Sequence, residues 1–354
     1  MDNIAHALVG AALGRAVADR TVRAAALMGA IAGNAPDWAE LLVTPGAWTP
    51  RAGVSYLVYH RGITHSLLGA AVEIVVLTAL GGAILTWWAR RRGEAAPAWR
   101  WIAACVATTV LSHLYLDWQG SYGLRPFLPW SARWYYADWV AIVDPFFWVV
   151  PLVALAWGAR RHWAPALAFL VALLGFVTLV LWRRDVVAGW VRVTVIAAAL
   201  AAVVGWTRHW FGVAGRRRAA AAGVLVLAAY ATANAAASVA VKHSARGAAI
   251  ARFGPAPEWA ALTLVGRPFR WELLAASADS VAGPGWTLPR HLDHPAVRAA
   301  LATPQGHAIA QFARFLAAQV DSSGTSVRVS LWDVRYHRPG AGAAGWAAVQ
   351  VRVP

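Results

Sequence analysis

The sequence predicts a mainly α protein: a polytopic helical membrane domain of six to eight transmembrane helices over residues 1–241, then a small soluble α+β domain over 242–354. Three observations predict it. Apolar residues make up 59% of the chain and charged ones only 14%, about half the charged share of a soluble domain. Apolar runs long enough to cross a bilayer, about 20 residues each, recur up to residue 241. Beyond Val241 prolines, glycines and ordinary polar positions return. The single cysteine, Cys105, excludes a disulfide framework, and the apolar content excludes disorder.

Taken in order, the runs are 3–17, 23–36, 66–88, 100–117, 140–158, 163–182, 186–206 and 219–241. The first two are short and cross fully only where the membrane thins or their polar end sits inside protein. The opening carries Asp2 and no basic stretch, so it is not read as a signal peptide. In the C-terminal part, Pro295–Val320 reads as a helix. Arg267–Leu274, Thr325–Arg335 and Trp346–Val353 read as strands, the last two flanking a Pro339-Gly340 turn.

The net charge of +16 would suggest nucleic acid in a polar chain. Here the arginines read as loop residues that set orientation. Sorting loops alternately puts thirteen arginines on one side, including Arg15, Arg20, Arg23, Arg90, Arg160, Arg161 and Arg216 to Arg218. Seven fall on the other, including Arg51, Arg61, Arg183 and Arg184. The richer set faces the cytoplasm, which places both termini outside. No nucleic-acid partner is expected, and Trp87, Trp88, Trp99 and Trp130 read as an aromatic belt.

Ionisable groups within spanning segments are costly and mark functional sites. His6 opens the first run and Asp37 closes the second. His60 and His65 precede the third, His113 and Asp117 end the fourth, and Asp138 and Asp144 begin the fifth. All fall on the side opposite the arginine-rich loops. His113 and Asp117 are four residues apart and share a helix face. His6, Gly10 and Gly14 form one small-residue strip, and Gly29, Gly33 and Asp37 another. An antiparallel pair packed on these strips brings His6 and Asp37 to one end. Pro36 predicts a helix break beside Asp37. In the stretch 60–66, Thr64 is the expected cap of the next helix, Gly62 allows a tight backbone, and two histidines five apart converge on one metal. Glu73, about 12 Å deeper along the helix, either pairs with an arginine or lines a polar cavity. A single histidine near a helix end is usually structural, and His291 and His294 read as a surface loop.

Imidazoles with carboxylates suit zinc first, and manganese, iron or magnesium as carboxylates increase. The count of ligands points to one or two divalent ions that activate water. In this reading His6, Asp37, His60, His65, His113 and Asp117 bind metal, Asp138 or Asp144 completes the shell or acts as general base, and Arg61 holds an anionic group of the substrate.

Met1-Asp-Asn-Ile-Ala-His6, Asn34-Ala-Pro-Asp37, His60-Arg-Gly-Ile-Thr-His-Ser66 and His113-Leu-Tyr-Leu-Asp117 resemble the motif series of the bacterial inner-membrane metal-dependent hydrolases, some members of which are labelled LexA-binding. The stretches 123–127 and 138–145, and Leu331-Trp-Asp-Val-Arg-Tyr336, resemble that family as well. One departure is that Asp37 is followed by Trp38 and Glu40, where many members carry a second aspartate two residues on. The resemblance implies a multi-pass inner-membrane protein with a divalent-metal hydrolase site. The expected activity is hydrolysis of an ester or phosphoester in an amphiphilic, lipid-like substrate at the outer membrane surface, with the bilayer as partner and any protein partner left open. The alternative is a non-enzymatic, metal-stabilised scaffold or regulatory partner. A transporter fits less well, because the acids gather at one end and not at the midplane.

Overall fold

The computed structural model describes residues 1–19, 21–22, 24–44, 52–157, 163–208, 210, 212–322, 327–337 and 345–353. Arg20, Arg23, Arg51, Arg160, Arg161, His162, His209 and the expected Pro339-Gly340 turn lie outside the described residues.

The chain is mainly helical. It runs α1 (Asn3–Ala18), α2 (Ala25–Ala32), α3 (Ala35–Val43), α4 (Ala52–Tyr59), a 3-10 turn (Ile63–His65), α5 (Leu67–Arg91), α6 (Trp99–Trp118), α7 (Pro145–Trp157), α8 (Trp163–Trp182), α9 (Gly189–Thr207) and α10 (Gly212–Phe253). Strands β1 (Glu258–Thr263), β2 (Trp271–Ala276), β3 (Ser280–Gly283) and β4 (Trp286–Pro289) follow. After them come α11 (Pro295–Leu301), α12 (Pro304–Phe312), β5 (Leu316–Asp321), β6 (Val327–Asp333) and β7 (Ala348–Val353). Among the described residues, three helices are long and apolar enough to cross a membrane, Leu67–Arg91, Gly189–Thr207 and Gly215–Phe253. Helix α2, with eight residues, is about 12 Å long and cannot cross a core of about 30 Å. The sequence-predicted run 23–36 is interrupted because the chain turns at Gly33 and Asn34 and restarts as α3, with Asp37 in its first turn.

By compactness the chain divides into two units. The first holds Met1–Ala39, Ile63–Ala237 and Thr263–Arg270; the second holds Glu40–Gly62, Ser238–Leu262 and Trp271–Pro354. Helix α10 runs across Val241, where the composition changes, and continues to Phe253.

In the first unit, α1 and α2 pack antiparallel through their glycines. A Cβ on Gly29 would lie 2.1 Å from the carbonyl oxygen of Gly10, and one on Gly14 2.2 Å from that of Ala25. Only glycine lets backbones approach so closely. Around this pair, Val22, Ala25, Ala32, Ile102, Cys105, Val106 and Val110 form one core. At the far end of α1 from His6, Arg15 donates to the carbonyl of Leu155 at 2.9 Å, Arg217 to that of Ala16 at 2.7 Å, and Arg216 pairs with Asp19.

The second unit contains a four-stranded sheet in the order β1-β2-β3-β4 and a three-stranded antiparallel sheet in the order β5-β6-β7. Leu262, Leu274, Val281, Phe315, Ala317 and Trp332 of both sheets share one core. The expected single helix over Pro295–Val320 is corrected to α11, α12 and β5. Thr303 caps α12 by accepting from the Gly306 N–H at 3.1 Å, and Pro304 removes the backbone donor that a continuous helix needs. The expected strand Arg267–Leu274 begins only at Trp271, because residues 267–270 form a turn with Phe269 at φ +60°. The loop reading of His291 and His294 holds, with His294 capping α11.

Candidate metal centre

The His/Asp centre is assembled from both ends of the glycine strip. Helix α1 starts at Asn3, capped by Asp2, whose carboxylate accepts from the N–H groups of Ile4 and Ala5 and from the Trp148 indole at 2.9 Å. This cap fixes the first turn and aims His6 inward. The Cβ of an alanine at Gly33 would meet the His6 carbonyl at 2.8 Å, so α2 ends directly beside that turn and Asp37 follows. His65 comes from the 3-10 turn before α5. The expected Thr64 cap is corrected here: Ser66 caps α5, accepting from the Gly69 N–H at 3.0 Å. Thr64 stands in the turn, with its hydroxyl 3.0 Å from His65 Nδ1. His113 and Asp117 project from one face of α6, as their spacing requires.

Five sequence-predicted residues therefore meet: His6, His113 and Asp117 form one triad, and Asp37, His65 and His113 another, each with ligand atoms within 4.8 Å of one another. His113 belongs to both. Its Nδ1 lies 2.7 Å from the Gly33 carbonyl oxygen. A carbonyl only accepts, so Nδ1 carries a proton and Nε2 faces the cluster. That Nε2 is 3.1 Å from Nε2 of His65, and Asp117 Oδ2 is 3.5 Å from each of them. Asp37 Oδ1 lies 3.2 Å from His65 Nε2, and Asp117 Oδ1 lies 3.2 Å from His6 Nε2 and also pairs with the Met1 amino group. The His6 and His113 rings stack at 3.7 Å. His6, His65, His113 and Asp117 are buried, whereas the Asp37 side chain is 20% exposed and opens the centre at one edge. Three imidazoles and two carboxylates gathered in this way could hold a metal ion. The N/O donor set, and the backbone carbonyl holding the far nitrogen of His113, fit a divalent metal.

The remaining predicted residues are placed differently. His60 and Arg61 belong to the second unit, where His60 Nδ1 is 2.8 Å from Glu40 Oε1 and the Arg61 N–H donates to Glu40 Oε2 at 3.0 Å. Neither triad contains His60. Glu40 as partner of His60 was not anticipated, although its place one turn after Asp37 was the available signal. Asp138 is buried at φ +53°, and Arg61 is buried at φ +50°. Left-handed backbone costs about 1–2 kcal/mol outside glycine, and such strain gathers at functional sites. Asp144 caps α7: its oxygens accept from the Phe146 N–H at 2.8 Å and the Tyr230 hydroxyl at 2.7 Å. Gln119, just beyond Asp117, is fully buried, and neither amide atom has a hydrogen-bond partner among the described residues. Its position at a helix end gave no sign of this.

The family model described as YdjM inner membrane protein matches residues 1–186, which hold every residue of the cluster. The chain belongs to the YdjM inner membrane protein family. No curated protein and no solved structure matches the chain. Membership in this family, together with the long apolar helices, identifies an inner-membrane protein. Within the matched region lie the glycine strip, the turn before α5 and the paired face of α6, so the family's segment and the cluster's scaffold coincide.

Proposed function

We propose that this YdjM-family protein is a membrane-bound, metal-dependent hydrolase that cleaves an ester or phosphoester of an amphiphilic, lipid-like substrate. The observation that carries the proposal is the facing pair of imidazole nitrogens, His65 and His113 Nε2 at 3.1 Å, flanked by Asp37 and Asp117. His6, Asp37, His65, His113 and Asp117 would hold one or two divalent ions, zinc first among them. His60 and Glu40 offer only two ligand atoms, so the five-residue cluster carries the reading. When bound, the metal supplies Lewis acidity and lowers the pKa of water. The chain's own residues do the rest. Asp37 forms the open edge through which substrate enters. Asp138 or Asp144 would complete the shell or take a proton from the attacking water. Water adds across the scissile bond, which yields an acid and an alcohol.

In the same reading the protein crosses the inner membrane six to eight times. The cluster end and the C-terminal domain face away from the cytoplasm, and the arginine-rich end faces it. A second reading, in which the ions are structural, is favoured by the burial of four of the five ligands, since structural sites are closed. Metal analysis of the purified protein, followed by esterase and phosphodiesterase assays with membrane lipids, separates the two. Hydrolysis that disappears on chelation and returns with zinc supports the enzyme. Stoichiometric metal without hydrolysis of any lipid class supports the scaffold.

A further inference from the structure

Helix α2 is pulled against α1 by the glycine strip and also packs on α6, and α5 packs on α6 from the other side. The two helices therefore do not close on each other. Between them remains an apolar groove of about 380 Å³, walled by Met28 and Ile31 from α2 and by Leu77, Gly81 and Ile84 from α5, with Val106 of α6 as its floor. This volume lies within the range of small-molecule sites.

The groove shares helix α6 with the metal centre. Its upper end at Ile31 is two residues before Gly33, whose carbonyl holds His113. On α5, Glu73 precedes Leu77 and Gly81 on the same four-residue stripe, which places it one turn above the groove. Both Glu73 carboxylate oxygens are shielded from solvent and have no hydrogen-bond partner among the described residues, and its electrostatic neighbours are His113 and Asp37. A shielded, unpartnered acceptor at this neck is an unmet demand for a donor. At the lower end, the Arg92 guanidinium sits 4.8 Å over the ring of Trp88, which lines the groove. From Leu77 to Trp88 the helix rises about 16 Å, close to half of a hydrocarbon core of about 30 Å.

We infer that this groove holds one acyl chain of a glycerophospholipid. The chain lies between α2 and α5, and the lipid's ester or phosphoester linkage is at the His/Asp cluster. The placement of the scissile bond rests on the hydrolase reading; the seating of the acyl chain does not.

The test uses the full chain in nanodiscs of phosphatidylethanolamine and phosphatidylglycerol, doped with a phospholipid that carries a diazirine midway along one acyl chain. After irradiation, labelled residues are mapped by mass spectrometry and metal is measured on the same sample. The expected result is labelling of residues 27–31 and 77–84 about tenfold above equally exposed residues such as Leu225 and Val226, a preference of about 1.4 kcal/mol. A Cβ at Gly81 makes only ordinary contacts, the nearest at 3.8 Å. Gly81→Phe therefore fills the groove and lowers its labelling to the level of the other faces, whereas Ala83→Phe on the same helix leaves it unchanged. If Gly81→Phe does not fold, the wild-type pattern decides. Even labelling over all apolar faces, or groove labelling that survives Gly81→Phe, overturns the inference. Even labelling with normal metal content sinks the groove and spares the hydrolase reading. Groove labelling on a metal-free protein does the reverse.

Discussion

The two ends of α1 solve the same problem, polar groups within an apolar helical bundle, in opposite ways. At the arginine end, Arg15 and Arg217 donate to the carbonyls of Leu155 and Ala16, and Arg216 pairs with Asp19. Each cation has a partner made of protein. At the histidine end, His65 and His113 bring two Nε2 atoms within 3.1 Å, with the carboxylates of Asp37 and Asp117 around them. That end gathers imidazoles and carboxylates that could hold a metal ion, with the Met1 amine paired to Asp117. The difference teaches that one end pairs its cations with protein groups, whereas the other gathers groups that could hold a metal ion.

The sharpest way to break the comparison is to part the helices that carry it. Gly29→Val places a Cβ about where the Gly10 carbonyl oxygen stands. It is expected to cost more than about 4 kcal/mol, the exceptional class of single substitutions, and to abolish metal binding, read as lost folded yield and lost metal. Gly81→Ala, a substitution with room to spare, should leave both unchanged. Next in size, His113→Ala removes a buried ring shared by both triads and leaves the Gly33 carbonyl without its donor. A loss of about 3 kcal/mol in thermal unfolding is expected, with metal content falling to near zero. Chelation of the intact protein comes third: stripping an ion present at about 100 times its dissociation constant lowers stability by about 2.7 kcal/mol, and re-addition of zinc should restore it. The smallest effect belongs to the arginine end. Arg15→Ala removes one hydrogen bond, worth about 1 kcal/mol, and is expected to leave metal content untouched. A loss of metal in Arg15→Ala would show that the two ends are not independent.

Much of this arrangement was legible in the sequence, and for a definite reason. His6, Gly10 and Gly14, then Gly29, Gly33 and Asp37, are spaced by one helical turn, and that periodicity fixes a face whatever the surroundings. The pairing of His113 with Asp117 and the new first turn that holds Pro36 and Asp37 were readable by the same local logic. What local logic could not read depends on contacts distant in sequence. The choice between Thr64 and Ser66 as cap rests on a 3-10 turn that no propensity distinguishes from a longer loop. The division of Pro295–Val320 was signalled by Thr303-Pro304, yet the apolar pattern continued across it and concealed β5. The pairing of His60 with Glu40, the commitment of Asp144 to Tyr230 and the burial of Gln119 are tertiary facts, and no spacing announces them.

The central claim is that the His/Asp end binds a divalent ion. Metal analysis of the purified protein, combined with X-ray absorption at the zinc edge, tests it most directly. The account predicts one or two equivalents per chain, with imidazole scattering at Zn–N distances of about 2.0–2.1 Å that vanishes in His113→Ala. Folded protein that retains no stoichiometric metal after purification in zinc-containing buffer would contradict it.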